Sequence, residues 1–358
     1  MDGEIKSLIK TWISVLSSLC YCYFISRKIP KGKFRLLSLL PIFHLFTVLP
    51  MTLSTVMLSG ITALSITWLA NFKLLLFAFG QGPLSDDYSS SLLRFISLAC
   101  LPIKINQTPS PQITKHVPKS SLDSAIKALL LAILIYTYNY GEYINSNIIL
   151  LFKCCFMYLA LDIPLAIAGF LARTLLSLEL EPQFNKPYLS TSLQDFWGRR
   201  WNLVVSTILS QTVYKPIRSF SVPVLGTRSG QVLGVVSTFV VSGLMHELIF
   251  YYITRVDPTW EVTCFFVLHG ICTAVEIAAK KGWTGRRQLH RAVSGPLTVG
   301  FVLVTASWLF IPQLARNGLD IRAVGEWNEI IEFVKEKILQ IFIGSNATVH
   351  HKVVAPLS

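Results

Sequence analysis

Two short stretches hold the residue types that could do chemistry, and both sit where the chain is otherwise apolar. The first, ELEPQFNKPYLSTSLQDFWGRRWN over residues 179–202, packs carboxylates, arginines, indoles and an amide between hydrophobic runs. The second, VVSGLMHELIFYY, sets His246 among hydrocarbon side chains. An imidazole can take a proton from a hydroxyl near neutral pH, and a carboxamide such as that of Asn202 can orient the hydroxyl or donate to developing negative charge. Brought together, His246 and Asn202 form a candidate catalytic pair for a hydroxyl dissolved in a bilayer.

In a helix over 231–253, His246 lies about 21 Å along the axis from Val232. Ionisable groups at that depth cost roughly 2.5 to 3.5 kcal/mol when charged and face a protein interior or a watered cavity. Ser242, one turn earlier on the same face, and Gly243 leave room for a substrate or a close helix. Glu247 points about 100° away and reads as a helix-packing group within reach of Tyr251. His269 shares a face with Thr273 and Glu276, which would satisfy it structurally, and His44 lies in another apolar run. His116, His290, His350 and His351 fall in loops or tails. No HxxxH, HExxH or Cys/His ligand spacing occurs, so no metal is expected, and neither a GxSxG elbow nor a phosphate loop is present.

Ser192 and Asp195 stand at N-cap and N3 spacing, with Thr191 and Gln194 offering the same box one residue earlier, so a helix should start here and run to Pro216. On that helix Asp195, Arg199, Asn202 and Ser206 fall in one arc, opposite Trp197, Trp201, Val204 and Ile208. The spacing predicts an interfacial helix with one polar seam, in which Asp195 pins Arg199 at i to i+4. A plain membrane anchor needs the indoles and arginines but has no use for a carboxylate and an amide aligned along one seam.

The elements that must position these residues are helical and membrane-embedded. The 358 residues are 52% hydrophobic and 14% charged, with a mean hydropathy of +0.55, which excludes an ordinary soluble domain. Eight spans are expected in a single domain over 1–358, at 5–25, 36–58, 61–79, 124–140, 148–172, 231–253, 261–279 and 293–311. The first reads as a retained signal anchor, Gly60 as the turn between spans two and three, Lys73 as a snorkelling residue, and 92–103 as re-entrant or superficial. Lys153 and Asp162 lie inside span five, and 327–342 is an amphipathic helix against the membrane. Loops at 26–35, 104–127, 173–230 and 280–291 hold 5, 4, 7 and 5 Lys or Arg, whereas the turns after spans two, four and six hold 0, 0 and 1. The basic loops, including the 179–216 motif, are therefore assigned to the cytoplasm and both termini to the lumen. Topology and anionic lipid or cofactor groups account for the net charge of +13 without nucleic acid. Of the sequons at Asn106 and Asn346, the first should stay unglycosylated. The seven cysteines fall in apolar runs without paired spacing and read as small buried hydrophobes.

With these residues in view, the motif and the buried HE dipeptide, together with WLANFKLLLFAFGQGPLS at 68–85 and the GxxTAVEIAAKK segment near Gly270, resemble the plant wax synthases, a branch of the membrane-bound O-acyltransferase superfamily. Plant acyl-CoA:sterol acyltransferases are similar in the same motifs. The resemblance implies a multi-pass endoplasmic-reticulum enzyme with an internal tunnel, acyl-CoA as co-substrate with no bound cofactor, and a fatty alcohol or sterol as acceptor. It matches His246 to the family's catalytic histidine and Asn202 to its motif asparagine. Asp195, Trp197, Arg199, Arg200, Trp201 and Ser242 become candidates for substrate binding, with Arg199, Arg200 and Lys215 facing CoA phosphates. Membrane lipids and a second copy of the chain are the expected partners. A transporter using His246, Glu247, His269, Glu276 and Asp162 is the rival class, and inverted repeats or paired broken helices, its marks, are not seen. One difficulty stands out: with Asn202 at the cytoplasmic edge and His246 some 20 Å deep, the two meet only if the motif dips into the bilayer or span six begins outside it.

Overall fold

The computed structural model describes residues 2–85, 90–105, 119–138, 146–176, 180–282, 289–319, 321–329, 331, 332 and 335. Among the described residues, seven helical stretches are long and apolar enough to cross a membrane, and the protein is an all-helical, multi-pass membrane protein. Helices α1 (Asp2–Phe24), α2 (Lys33–Val48) and α3 (Val56–Ala78) pack with the short α4 (Leu92–Cys100) around Leu19, Leu39, Phe46, Leu74, Phe77 and Phe95. The turn between α2 and α3 falls at 49–55, not at Gly60, which lies inside α3, where an added Cβ would stand 3.6 Å from Ile253 Cγ2. Remote carboxylates fix that boundary by capping the exposed N–H groups of α3 and its approach. Glu4 accepts from the Ser54 and Thr55 amides at 2.8 and 2.9 Å, and Glu326 from those of Val56 and Met57 at 2.6 and 2.8 Å. Arg255 and Arg322 donate to carbonyls of the same turn, at Met51, Leu53 and Ser54.

Lys73 does not snorkel. It is 1% exposed and donates to the carbonyls of Leu98 (2.6 Å) and Leu101 (2.8 Å), holding the C-terminal end of α4. A cation there meets the negative end of the helix dipole, and α4 buries Phe95, Leu98 and Cys100 in the first core. Helices α5 (Lys119–Tyr138) and α6 (Ser146–Leu176) are joined by Lys127 and Asp162 at 2.9 Å. The apolar part of α5, Ala125–Thr137, is shorter than the roughly 20 residues a span needs, so among the described residues seven stretches rather than eight meet that length. Trp327, in α11 (321–329), packs on α5 and α6. Asn106, Asn346 and most of 327–342 lie outside the described residues. Cys22, Cys100 and Cys154 are buried, but Cys155 and Cys264 are exposed, contrary to expectation, because they fall on the outer faces of their helices.

The stretch Leu203–Thr254 departs furthest from a simple span. Its 52 residues are apolar and helical except at Gly226 (φ 79°, ψ 166°), where the chain reverses. Residues 222 and 230 of a straight helix stand about 12 Å apart. Here a Cβ on Gly230 would lie 2.7 Å from Val222 Cγ2 and 3.0 Å from its backbone nitrogen, and one on Gly234 would lie 3.0 Å from the Tyr214 ring. Helices α7 (203–225) and α8 (227–254) are thus antiparallel arms of a hairpin, drawn close by glycines. Val205, Ile208 and Val213 of α7 share a core with Val241, Met245 and Ile249 of α8 and Trp68 of α3. Helices α9 (Glu261–Gly282) and α10 (Arg291–Arg316) complete the bundle.

Candidate active site

The motif begins as its sequence dictates and then breaks. Ser192 Oγ accepts from the Asp195 amide at 3.1 Å, the Asp195 carboxylate accepts from the Thr191 amide at 3.4 Å, and Glu276 reaches over from α9 to accept from the Leu193 amide at 2.8 Å. From Phe196 to Arg200 the chain winds as a π-turn. Five residues per hydrogen-bonded step, instead of four, put Arg200 rather than Arg199 beside Asp195, with Nε 2.7 Å from the carboxylate. Arg199 is exposed. The helix then stops, because Asn202 takes a left-handed conformation (φ 38°, ψ 69°), which asparagine tolerates better than most residues. Its Oδ1 accepts from the Val205 amide at 3.2 Å and starts α7. Strand-like contacts brace the break: the Leu203 amide donates to Gln183, and that of Asn185 to Arg200, both at 2.9 Å. The continuous helix to Pro216 and its seam of Asp195, Arg199, Asn202 and Ser206 therefore do not form.

This break and the hairpin together resolve the depth problem. Asn202 lies 24 residues before the reversal at Gly226 and His246 lies 20 after it, so the two arms return nearly to one level. The motif dips into the bundle, and the polypeptide leading to α8 starts there.

The His246 ring is held on one nitrogen. Nδ1 lies 2.7 Å from the Ser242 carbonyl, which can only accept, so Nδ1 carries the proton and Nε2 keeps its lone pair. The ring stacks on Phe266 (4.3 Å, 27°) and meets Trp68 (5.0 Å, 85°) and Phe310 (5.9 Å, 76°) edge-on. His269 is satisfied differently from the expectation. Its Nδ1 accepts from the Trp197 indole at 3.1 Å, Nε2–H donates to Thr305 Oγ1 at 2.8 Å, and that hydroxyl passes a hydrogen bond to the Phe301 carbonyl. Every polar atom of this buried chain has a partner, which marks His269 as structural; Thr273 and Glu276 take no part in it. Glu247 does not reach Tyr251 but accepts from the Thr263 amide at 3.1 Å, near the N-terminal end of α9. His44 faces outward.

A cavity of about 1430 Å³, mostly apolar, runs beside α8 from Gln231 to Ile253, about 33 Å by helix rise. His246, Asn202, Ser242, Trp197 and Trp201 all line it; Asp195, Arg199, Arg200 and Lys215 do not. Four π-wound segments (Ala63–Ala70, Phe196–Arg200, Ser210–Tyr214 and Ala306–Phe310) each contribute to its wall. Phe266 and Phe310 escaped the sequence reading because aromatic residues in apolar runs look like ordinary core, and Trp68 entered it only as the first residue of the 68–85 stretch that carries the family resemblance, with no place at the site.

Residues 180–268, which contain Asn202, Trp197, Trp201, Ser242, His246 and Phe266 but not Trp68, His269, Glu276 or Phe310, match the family described as "Membrane bound O-acyl transferase family". The chain is 48% identical over 341 residues to "Probable long-chain-alcohol O-fatty-acyltransferase 1" of Arabidopsis thaliana, covering 94% of this chain and 98% of that protein. It is 46% identical over 346 residues to "Long-chain-alcohol O-fatty-acyltransferase" of Simmondsia chinensis, covering 95% and 98%. To "Acyl-CoA--sterol O-acyltransferase 1" of Arabidopsis thaliana it is 47% identical over 336 residues, covering 92% and 96%. A likeness this high over almost the whole length, centred on a membrane cavity that holds a histidine and an amide, places the chain in the membrane bound O-acyl transferase family as an acyltransferase.

Proposed function

We propose that this acyltransferase moves a fatty acyl group from acyl-CoA to the hydroxyl of a long-chain alcohol and releases a wax ester. One observation carries the reading: His246, with its Nε2 lone pair, and Asn202 border the same apolar cavity. In the proposed reaction Nε2 takes the alcohol proton as the oxygen attacks the thioester carbonyl, and the same proton then leaves with the CoA thiolate. Asn202 orients the hydroxyl or donates to the charge that develops. Trp197, Trp201 and Ser242 shape the walls around the chains. Arg200 is committed to Asp195, so Arg199 and Lys215, both exposed, are the proposed contacts for CoA phosphates. The endoplasmic-reticulum membrane is the proposed location, with bilayer lipids as surroundings and a second copy of the chain as the proposed partner in assembly.

A sterol is the rival acceptor, because a relative named for sterol acylation is as similar as those named for long-chain alcohols. Membranes from an expressing host, given labelled acyl-CoA with a fatty alcohol, a sterol or diacylglycerol, decide between them. Wax ester as the main product supports the proposal, whereas sterol ester as the main product reassigns the acceptor. Absence of every ester, in membranes that contain the folded protein, overturns the reading.

A further inference from the structure

A glycine without a packing reason sits on the cavity wall. Glycine is the poorest helix former after proline, and inside membrane helices it marks places where another segment must come close. Gly230, Gly234, Gly243 and Gly270 obey that rule, since an added Cβ on each would stand 2.7 to 3.0 Å from atoms packed against it. Gly60 does not. It lies within an ordinary helical turn of α3, and a Cβ there would meet only Ile253 Cγ2, at 3.6 Å, which is normal contact. Gly60 and Ile253 both line the cavity. What the missing side chain leaves free is therefore cavity space.

Two helices place this gap relative to His246. Along α8, Ile253 lies seven residues past His246, or about 10 Å. Along α3, Gly60 lies eight residues before Trp68, whose ring meets that of His246 at 5.0 Å, or about 12 Å. Gly60 and Ile253 thus form a rim about 11 Å from the imidazole. The walls on the two sides of His246 differ. Away from the rim, α8 presents Gln231, Thr238 and Ser242, and α7 presents Ser206, Ser210 and Tyr214; toward the rim, α8 presents only Ile249, Phe250 and Ile253. An acyl thioester has the same asymmetry about its reacting carbon, with the amides of pantetheine on the sulfur side and hydrocarbon on the other. Amides need hydrogen-bond partners and alkyl chains need none, so the sulfur side suits the polar wall and the acyl chain points to the rim. The alcohol oxygen must approach the face of the carbonyl, across that axis, and its chain takes another way out.

We propose that Gly60, with Ile253 opposite, determines which acyl chains the enzyme accepts. This rests on the acyl-CoA reading above. With C–C bonds of about 1.5 Å set in a zigzag, roughly eight carbons fill the distance from His246 to the rim, and longer acyl chains pass beside Gly60.

Gly60→Leu narrows the rim. With one alcohol held fixed, the ratio of kcat/KM for stearoyl-CoA to that for octanoyl-CoA should fall at least about tenfold, through loss of the longer substrate. The ratio for octadecanol to dodecanol, measured with octanoyl-CoA, should change less than about twofold. Gly60→Ala should move the acyl ratio the same way by less. Ile253→Phe narrows the rim from α8, should match Gly60→Leu, and serves if that variant does not fold. Folded variants that keep the wild-type acyl ratio, or that lose octanoyl and stearoyl transfer equally, overturn the role of Gly60. A shift in the alcohol ratio in place of the acyl ratio overturns it too, because the alcohol chain would then lie at the rim. A wild type that forms no ester from either acyl-CoA overturns the acyl-CoA reading and this inference with it.

Discussion

Asn202 must meet two demands, since its backbone ends the motif in a left-handed turn while its side chain starts α7 and faces the cavity. The demands can be separated. Asn202→Gly accepts the backbone conformation and should leave thermal stability within a few tenths of a kcal/mol, yet it should cut acyl transfer by about 10²-fold or more if the amide serves the reaction. Asn202→Ala should lose the same activity and, in addition, about 1–2 kcal/mol of stability from the strained φ. Melting curves and turnover measured on both variants check this, and a fully active glycine variant removes Asn202 from the chemistry. His246 could be singled out in the sequence as an imidazole among apolar neighbours and Asn202 as an amide in a dense polar motif, and the structure places both on one cavity. The pairing of Asp195 was not, because a regular helical wheel places Arg199 beside it and only the π-turn brings Arg200 there instead.

At the scale of elements, the hairpin of α7 and α8 decides whether those residues meet. Period and hydropathy make 203–254 look like an interfacial helix followed by one span, since both arms are helical and the reversal occupies a single residue. The signal that was present is the spacing of Gly226, Gly230 and Gly234, one to permit the turn and two to admit the opposing arm. Gly226 holds a conformation open essentially only to glycine, so Gly226→Val should cost about 1–3 kcal/mol. Gly230→Leu, which drives a side chain into the Val222 backbone, should cost about as much through overpacking. Both lie far along the chain from Asn202 and His246, so the expected result is a lower melting midpoint together with a loss of transfer activity. A destabilised variant with wild-type turnover per folded molecule would show that the arms need not stay in register for the reaction.

For the molecule as a whole, composition was enough to establish a helical membrane protein, because burial of so much apolar surface leaves few other folds. The joints between spans were less legible, since they depend on partners remote in sequence. Glu4 and Glu326, more than 300 residues apart in the chain, both cap the approach to α3, and neither stands near it in the sequence. Glu326→Ala leaves the Val56 and Met57 amides without that acceptor and should lower stability by about 1–3 kcal/mol, with the acceptor preference of the enzyme unchanged; thermal unfolding and a product profile test both halves. The central claim is that this cavity carries out acyl transfer through His246, and it is tested most directly by ester formation from labelled acyl-CoA and a long-chain alcohol in membranes holding equal amounts of folded wild type and His246→Gln. The account predicts wax ester from the wild type and a loss of at least about 10²-fold in the variant. Equal rates from the two would contradict it.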